Sequence, residues 1–176
     1  MNMSASQASN FVDYMAATIT RSNTTVELMG ETMKYAGSVA GTLGVSMDDL
    51  SVAIGLMANS SIKGSRAGTA MRTLLANLSA PTETVAKAMD KYGIGLVTAK
   101  DGSVDLDKTL RNLRSSLKSL PLVEQAAACK DLAGKTGMTG LLSIVNATDD
   151  AYDSLTDSVQ NSTQTVSYWN QNLGEA

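Results

Sequence analysis

Apolar positions recur at helical spacing along almost the whole chain and are interrupted about every 15 to 20 residues by polar or glycine breaks. From Ser4 to Arg21, the residues Ala8, Phe11, Val12, Met15 and Ile19 form one stripe opposite Asp13 and Arg21, which predicts a first helix. Past the polar run Ser22-Asn23-Thr24-Thr25, a second stripe passes through Leu28, Thr32, Tyr35, Val39 and Leu43. Glu27 and Glu31 stand early in it, where carboxylates suit the helix dipole, and Gly44 ends it. Ser46 followed by Asp49 approximates a capping box for a helix from Met47 to Ser60, with Leu50, Ala53, Ile54 and Met57 on its buried face.

Lys63-Gly64-Ser65 reads as a turn, after which Ala67, Ala70, Met71, Leu74, Leu75 and Leu78 carry a helix to Ser79. Pro81 opens the next, through Val85, Ala88, Met89 and Tyr92 to a stop at Gly93. The period then changes. Leu96-Val97-Thr98 and Val104-Asp105-Leu106 flank Asp101-Gly102, a pair that supports positive φ in a tight turn, and together they predict one small β-hairpin near residues 95–106. Leu106, Leu110, Leu113, Leu117 and Leu120 resume the helical period, followed by helices from Pro121 through Ala133 and from Met138 to Ala147. A polar segment from Asp149 to Trp169 keeps Tyr152, Leu155, Val159 and Val166. The expectation is an all-α fold, a compact bundle of about seven or eight short helices with that one hairpin. A helical core module over residues 1–148 would be followed by a polar C-terminal helix over 149–176, continuing into a longer parent chain.

Composition narrows the chemistry. The chain has no histidine, which removes the commonest general base and the commonest zinc and iron ligand, and a single cysteine, Cys129, which excludes an internal disulfide or a cysteine metal cage. Fourteen Lys and Arg stand against 17 Asp and Glu, for a formal charge of -3. That balance gives no bulk basic footprint for sequence-specific nucleic-acid binding. Ala, Gly, Ser and Thr supply 74 of the 176 residues and aromatics only seven, so any helices must approach closely through small side chains. Charge-free stretches such as Tyr35 to Met47 and Leu50 to Ile62 are 13 residues long, short of the roughly 20 that span a bilayer, and the segment reads as soluble with no transmembrane span.

Each candidate for chemistry has a plainer reading. Gly134-Lys135-Thr136 ends like a phosphate-binding loop, but Cys129 stands where the motif's first glycine belongs, so a helix break explains it better. Ser115 with Lys118, and Lys135-Thr136-Gly137, match penicillin-binding motifs that lie too close together and lack the third element. Asp101, Ser103, Asp105 and Asp107 alternate like a calcium loop, yet Asn112 occupies the position of the bidentate glutamate. Glu27 and Glu31 share a helix face as a carboxylate pair and read as a solvated first turn. Cys129, among three alanines, reads as a small packed side chain. No catalytic residue, metal ligand or cofactor is expected. Gly37-x-x-x-Gly41 and Gly64-x-x-x-Gly68 instead place small residues one turn apart, which permits close helix contact inside the bundle or between subunits of a homo-oligomer. Lys63, Gly64, Ser65, Arg66 and Gly68 are therefore the candidate packing or partner-contact residues.

The run Ser61-Ile62-Lys63-Gly64-Ser65-Arg66-Ala67-Gly68-Thr69-Ala70-Met71-Arg72, continuing to Leu78-Ser79-Ala80-Pro81-Thr82, resembles the central segment of phage tail tape measure proteins. Ser22 to Gly30, Met33-Lys34-Tyr35 and Leu43-Gly44-Val45-Ser46 match upstream, and Asp101-Gly102-Ser103 and Leu132 to Val145 match downstream in the same order. At Ala133 the family usually places an aromatic residue. The resemblance covers roughly Ser4 to Ala147 and implies a structural role: setting tail length during assembly, within the tube lumen of the virion tail and, before that, in the host cytoplasm. It implies tail tube protein, tail assembly chaperones and tail tip or baseplate proteins as partners, and departure ahead of the DNA at infection. A membrane-active segment aiding genome delivery and a wall-degrading enzyme domain are the alternatives, since the parent chains can carry either.

Overall fold

The computed structural model describes residues 4–163, and these form eight helices. In chain order they are α1 (Ala5–Arg21), α2 (Val26–Thr42), α3 (Met47–Asn59), α4 (Gly64–Ser79), α5 (Glu83–Tyr92), α6 (Leu106–Leu117), α7 (Leu122–Asn146) and α8 (Asp149–Gln160). Hydroxyl or carboxylate caps start six of them: Ser4, Thr25, Ser46, Thr82, Asp105 and Thr148 each accept a backbone N–H from the first turn. At α1 the box is complete, because the Gln7 side chain also accepts from the Ser4 amide. Gly44 and Gly93 take φ of +68° and +63° just beyond α2 and α5, the left-handed conformation that ends a helix. Pro81 sits before the Thr82 cap, not within the first turn of α5.

The hairpin expected near residues 95–106 is absent: the described residues contain no strand. One isolated antiparallel bridge joins Thr98 and Val104 around the Asp101-Gly102 turn. Two bonds cross between the flanks, from the Ala99 amide to the Ser103 carbonyl (2.8 Å) and from the Asp105 amide to the Val97 carbonyl (2.9 Å), and beyond them the backbone turns to neighbouring helices. The Val104 amide donates to the Leu43 carbonyl at the end of α2 (2.8 Å), and the Val97 amide donates to the Thr109 hydroxyl of α6 (3.0 Å). The turn itself forms, with Asp101 accepting from both the amide and the hydroxyl of Ser103.

The two helices predicted over 121–147 are the halves of α7, which breaks at Gly134 (φ 71°, ψ 170°). The break is held by α4: the Asn77 side-chain amide donates to the Leu132 carbonyl that the lost turn leaves over (2.8 Å). Of the polar segment, α8 covers Asp149–Gln160, while the expected continuation through Val166 to Trp169 lies outside the described residues.

α3 is the centre of the molecule, with Leu50 through Ala58 buried without interruption. A helix apolar all round belongs inside. On one side α1 and α8 pack on α3 and on each other; on the other, α4 lies between α2 and α7, and α5 and α6 pack on α7. The core is aliphatic. Tyr152 is the one aromatic among the largest fully buried side chains, beside Met29, Met57, Met71 and a set of leucines.

Candidate functional site

The segment Lys63 to Gly68 sits at the start of α4 where that helix crosses α2. Lys63 occupies the cap position without a side-chain cap bond, and Gly64 enters the helix at φ +59°. Two side chains of α2 reach this start from across the crossing. The Glu31 carboxylate lies against the Gly64 α-carbon, at the positive end of the α4 dipole, and the Thr32 hydroxyl donates to the Gly64 carbonyl (3.0 Å). One turn on, a methyl group at Gly68 would stand 2.6 Å from the Thr32 carbonyl oxygen and 2.7 Å from the Tyr35 Cβ. Gly64 and Gly68 thus let the two helix backbones meet.

The same solution recurs on the other flank of α4. A Cβ at Gly137 would lie 3.3 Å from the Ala70 α-carbon, and one at Gly140 would lie 2.8 Å from the Ala70 Cβ. α4 is therefore pressed between two small-residue crossings, and the five candidate residues divide between them and solvent. Gly64 and Gly68 are buried, Lys63 and Ser65 are half-buried, and Arg66 points outward. Gly37 is buried within α2 and its motif partner Gly41 is exposed. Four participants escaped the sequence reading. Thr32 had been placed only on an apolar stripe, Glu31 only in a solvated first turn, and Gly137 with Gly140 show as a pair only at a three-residue spacing.

The remaining sequence candidates are not brought together. Ser115 is exposed, and Lys118 pairs with Asp149 (3.0 Å), not with Ser115. Asp101 accepts from Ser103, Asp105 caps α6 and pairs with Lys108, and Asp107 pairs with Arg111, so the alternating residues are engaged separately. Among the described residues no group of three or more carboxylate or thiol side chains could hold a metal ion. Burial pushes the Cys129 thiol up to about 12, far from a reactive thiolate.

Two polar devices tie the helices together. Arg114 of α6 is buried and donates to the carbonyls of Ile144 and Ala147 at the end of α7 and to the Asp149 carboxylate at the start of α8, with its guanidinium over the Tyr152 ring. Hydrogen bonds from Lys118 and Arg114 hold the Asp149 carboxyl below its usual range. Asp49 of α3 accepts from the Asp107 amide in the first turn of α6 (3.1 Å). Burial, reinforced by Asp48, Asp107 and Asp105, pushes its carboxyl up to about 6 despite that bond.

Fold and site together define an all-α packing scaffold whose most constrained residues serve helix contact. A family model described as phage-related minor tail protein matches residues 1–134, and the chain belongs to that family. It is 29% identical over 160 residues to the tape measure protein of Pneumococcus phage Dp-1, a match covering 91% of this chain and 14% of that protein. It is 24% identical over 147 residues to the probable tape measure protein of Escherichia phage P2, covering 82% of this chain and 18% of that one. The chain thus spans under a fifth of the length of either relative. No solved structure matches it.

Proposed function

We propose that this chain is a structural and assembly module of a phage tail tape measure protein, a folded body within a much longer polypeptide whose extended parts do the measuring. The observation that carries the reading is the match to two tape measure proteins over most of this chain and a small part of each relative. Its place is the virion tail, in the tube lumen after assembly and in the host cytoplasm before it. The partners that fit are the tail tube protein, the assembly chaperones and the tip or baseplate proteins. The core module runs over 1–148 and the polar segment over 149–176 leads toward the rest of the parent chain. The start of α4, Lys63 to Gly68, is the packing and partner-contact site, its glycines holding α2 while Lys63, Ser65 and Arg66 are left toward solvent. A non-enzymatic role fits a site made of helix crossings. The membrane-active alternative finds no support here, since no helix among the described residues is long and apolar enough to cross a bilayer.

The test is genetic and visual. In a phage whose tape measure gene carries this segment, Gly68→Leu should abolish full-length tails in electron micrographs, and the parent chain should co-purify with tube protein from wild-type tails. Normal tails without the segment, or peptidoglycan clearing or liposome leakage by the isolated chain, would overturn the reading.

A further inference from the structure

α1 and α8 lie side by side and run in opposite directions. A methyl group at Gly55 would meet Thr18, Ser22 and Leu155 within 3.3 Å, so these residues of α1, its C-cap and α8 gather at one level of α3. α1 runs with α3, since the Asn23 amide donates to the Asn59 side chain (3.0 Å), whereas α8 runs against it, since Gln160 shares a cleft with Ser46, Asp48 and Asp49 at the α3 start. The chain therefore leaves α8 beside the early part of α1. That part projects from the body: residues 4–10 are exposed throughout, and Phe11, the only phenylalanine, is the first half-buried residue. Exposed opening turns are marginal by themselves, yet their capping box is complete. The sequence after α8 supplies the apolar surface they lack. The buried stripe Tyr152, Leu155 and Val159 continues, at alternating spacings of three and four, through Ser162 to Val166, Trp169 and Leu173. Five of the seven aromatics, Phe11, Tyr14, Tyr152, Tyr168 and Trp169, stand on α1, on α8 or just after it. Neither 4–12 nor 158–174 carries a charge, and both are rich in Asn, Gln and Ser.

We infer that residues 164–176 continue α8 as a helix laid antiparallel along the exposed first turns of α1. Counted outward from Gly55 along both helices, Val166 comes level with the turn from Gln7 to Phe11, and Trp169 with the turn from Ser4 to Gln7. Helical phase keeps Val166 and Trp169 on the side of α8 that carries Leu155, and Gln7, Phe11, Tyr14 and Thr18 form the facing line, again at spacings of three and four. Tethering selects this occupant, because a segment that begins at the contact has an effective concentration that a free partner lacks. The chain then enters α1 and leaves α8 at one pole, on a two-helix stalk. The body hangs to the side of any longer polypeptide and adds little to its end-to-end length. Only that last consequence rests on the tail reading.

Trp169 is the only tryptophan, so the fluorescence of the 176-residue chain reads this segment directly. Its emission should lie to the blue of the urea-unfolded chain, and acrylamide should quench it several-fold less. Removing residues 1–10 should return both to the unfolded values, while circular dichroism and the urea midpoint show the body still folded. A short bismaleimide should join Gln7→Cys to Val166→Cys within one chain. It should not join Gln7→Cys to Ser119→Cys, which stands beside Lys118 and so near the α8 start, and the buried Cys129 takes no part. Native emission and quenching equal to those of the unfolded chain would overturn the inference. So would a shielded Trp169 that removal of residues 1–10 leaves unchanged, with no crosslink between positions 7 and 166. Shielding that grows with protein concentration would also overturn it, by marking a second copy as the cover. Each of these failures would leave the tail reading standing, because tail length and co-purification with tube protein are measured separately.

Discussion

Residue by residue, the positions under most constraint are glycines, and their neighbours decide what a substitution costs. At Gly68 the nearest atoms to an added methyl are a backbone carbonyl at 2.6 Å and a Cβ at 2.7 Å, neither of which can swing aside. Gly68→Ala should destabilise the chain by about 1–3 kcal/mol through overpacking, measured by urea denaturation. Gly30, eight residues before Ser38 on the exposed side of α2, has nothing within 4 Å of an added Cβ, so Gly30→Ala should stabilise by about 0.5–1 kcal/mol through helix propensity. The same denaturation series, read against pH, isolates Asp49. Its folded carboxyl titrates near 6 against an ordinary 3.8, so the folded state binds the proton more tightly than the unfolded one. Stability should therefore rise as pH falls from about 7 toward 4, with Asp13 acting in the same direction, and should drop only below that, where the depressed Asp149 and Glu124 carboxyls are protonated. Asp49→Asn keeps an acceptor for the Asp107 amide and removes the buried charge. It should raise stability at pH 7.5 by about 1–2 kcal/mol, discounted for partial solvation, and flatten the profile between 4 and 7. An unchanged profile would show that Asp49 is not the titrating group.

At the level of elements, what could be read from sequence was the local part. The start at Ser46 and the ends at Gly44 and Gly93 follow from sequence, because caps and left-handed glycines act within one turn of where they stand, whereas the start of α5 was read at Pro81 and lies at the Thr82 cap. The hairpin misled because its turn is also local and does form, with the Ala99 and Asp105 amides donating across it, whereas the next bond of a ladder needed the Val97 amide that Thr109 had already engaged from 12 residues away. Gly134 was legible as a break, but not that Asn77 would satisfy the carbonyl behind it and keep both halves in register. The α2–α4 crossing was half legible, through Gly64 and Gly68, while its other wall at Glu31 and Thr32 depends on a contact between separate helices. Arg114 is the largest omission. In sequence it is one cation on a leucine helix; in the fold it is the clamp at the α7–α8 corner, where three partners converge on one planar guanidinium. Arg114→Ala should cost about 2–4 kcal/mol by leaving buried carbonyls without donors. Arg114→Lys should recover little, because an ammonium cannot reach the Ile144 and Ala147 carbonyls and Asp149 together, and near-wild-type stability of the lysine variant in urea would refute the clamp.

For the molecule as a whole, small side chains and few aromatics set how it comes apart. Close crossings give good packing per contact, yet each Ala or Gly buries little apolar surface, so cohesion is concentrated where leucine and methionine gather, around α3, α4 and the facing side of α7. α1 is the opposite case: Thr18 is its only fully buried residue, and its attachment is through α3 and α8. Unfolding should therefore be graded, with α1 losing hydrogen-exchange protection first and α3 and α4 last. A melting temperature within the ordinary range of about 45–65 °C should accompany it. This ordering bears on the tail reading, because under that proposal a folded body leaving through a narrow tube would be drawn out from a weakly held end at low force. Force spectroscopy with handles at the two ends of the chain should then record an early, low-force release of α1 before the main rupture. A single high-force event together with an exceptionally high melting temperature would mean that the body resists extraction, and passage through the tube as an unfolded chain would have to be abandoned.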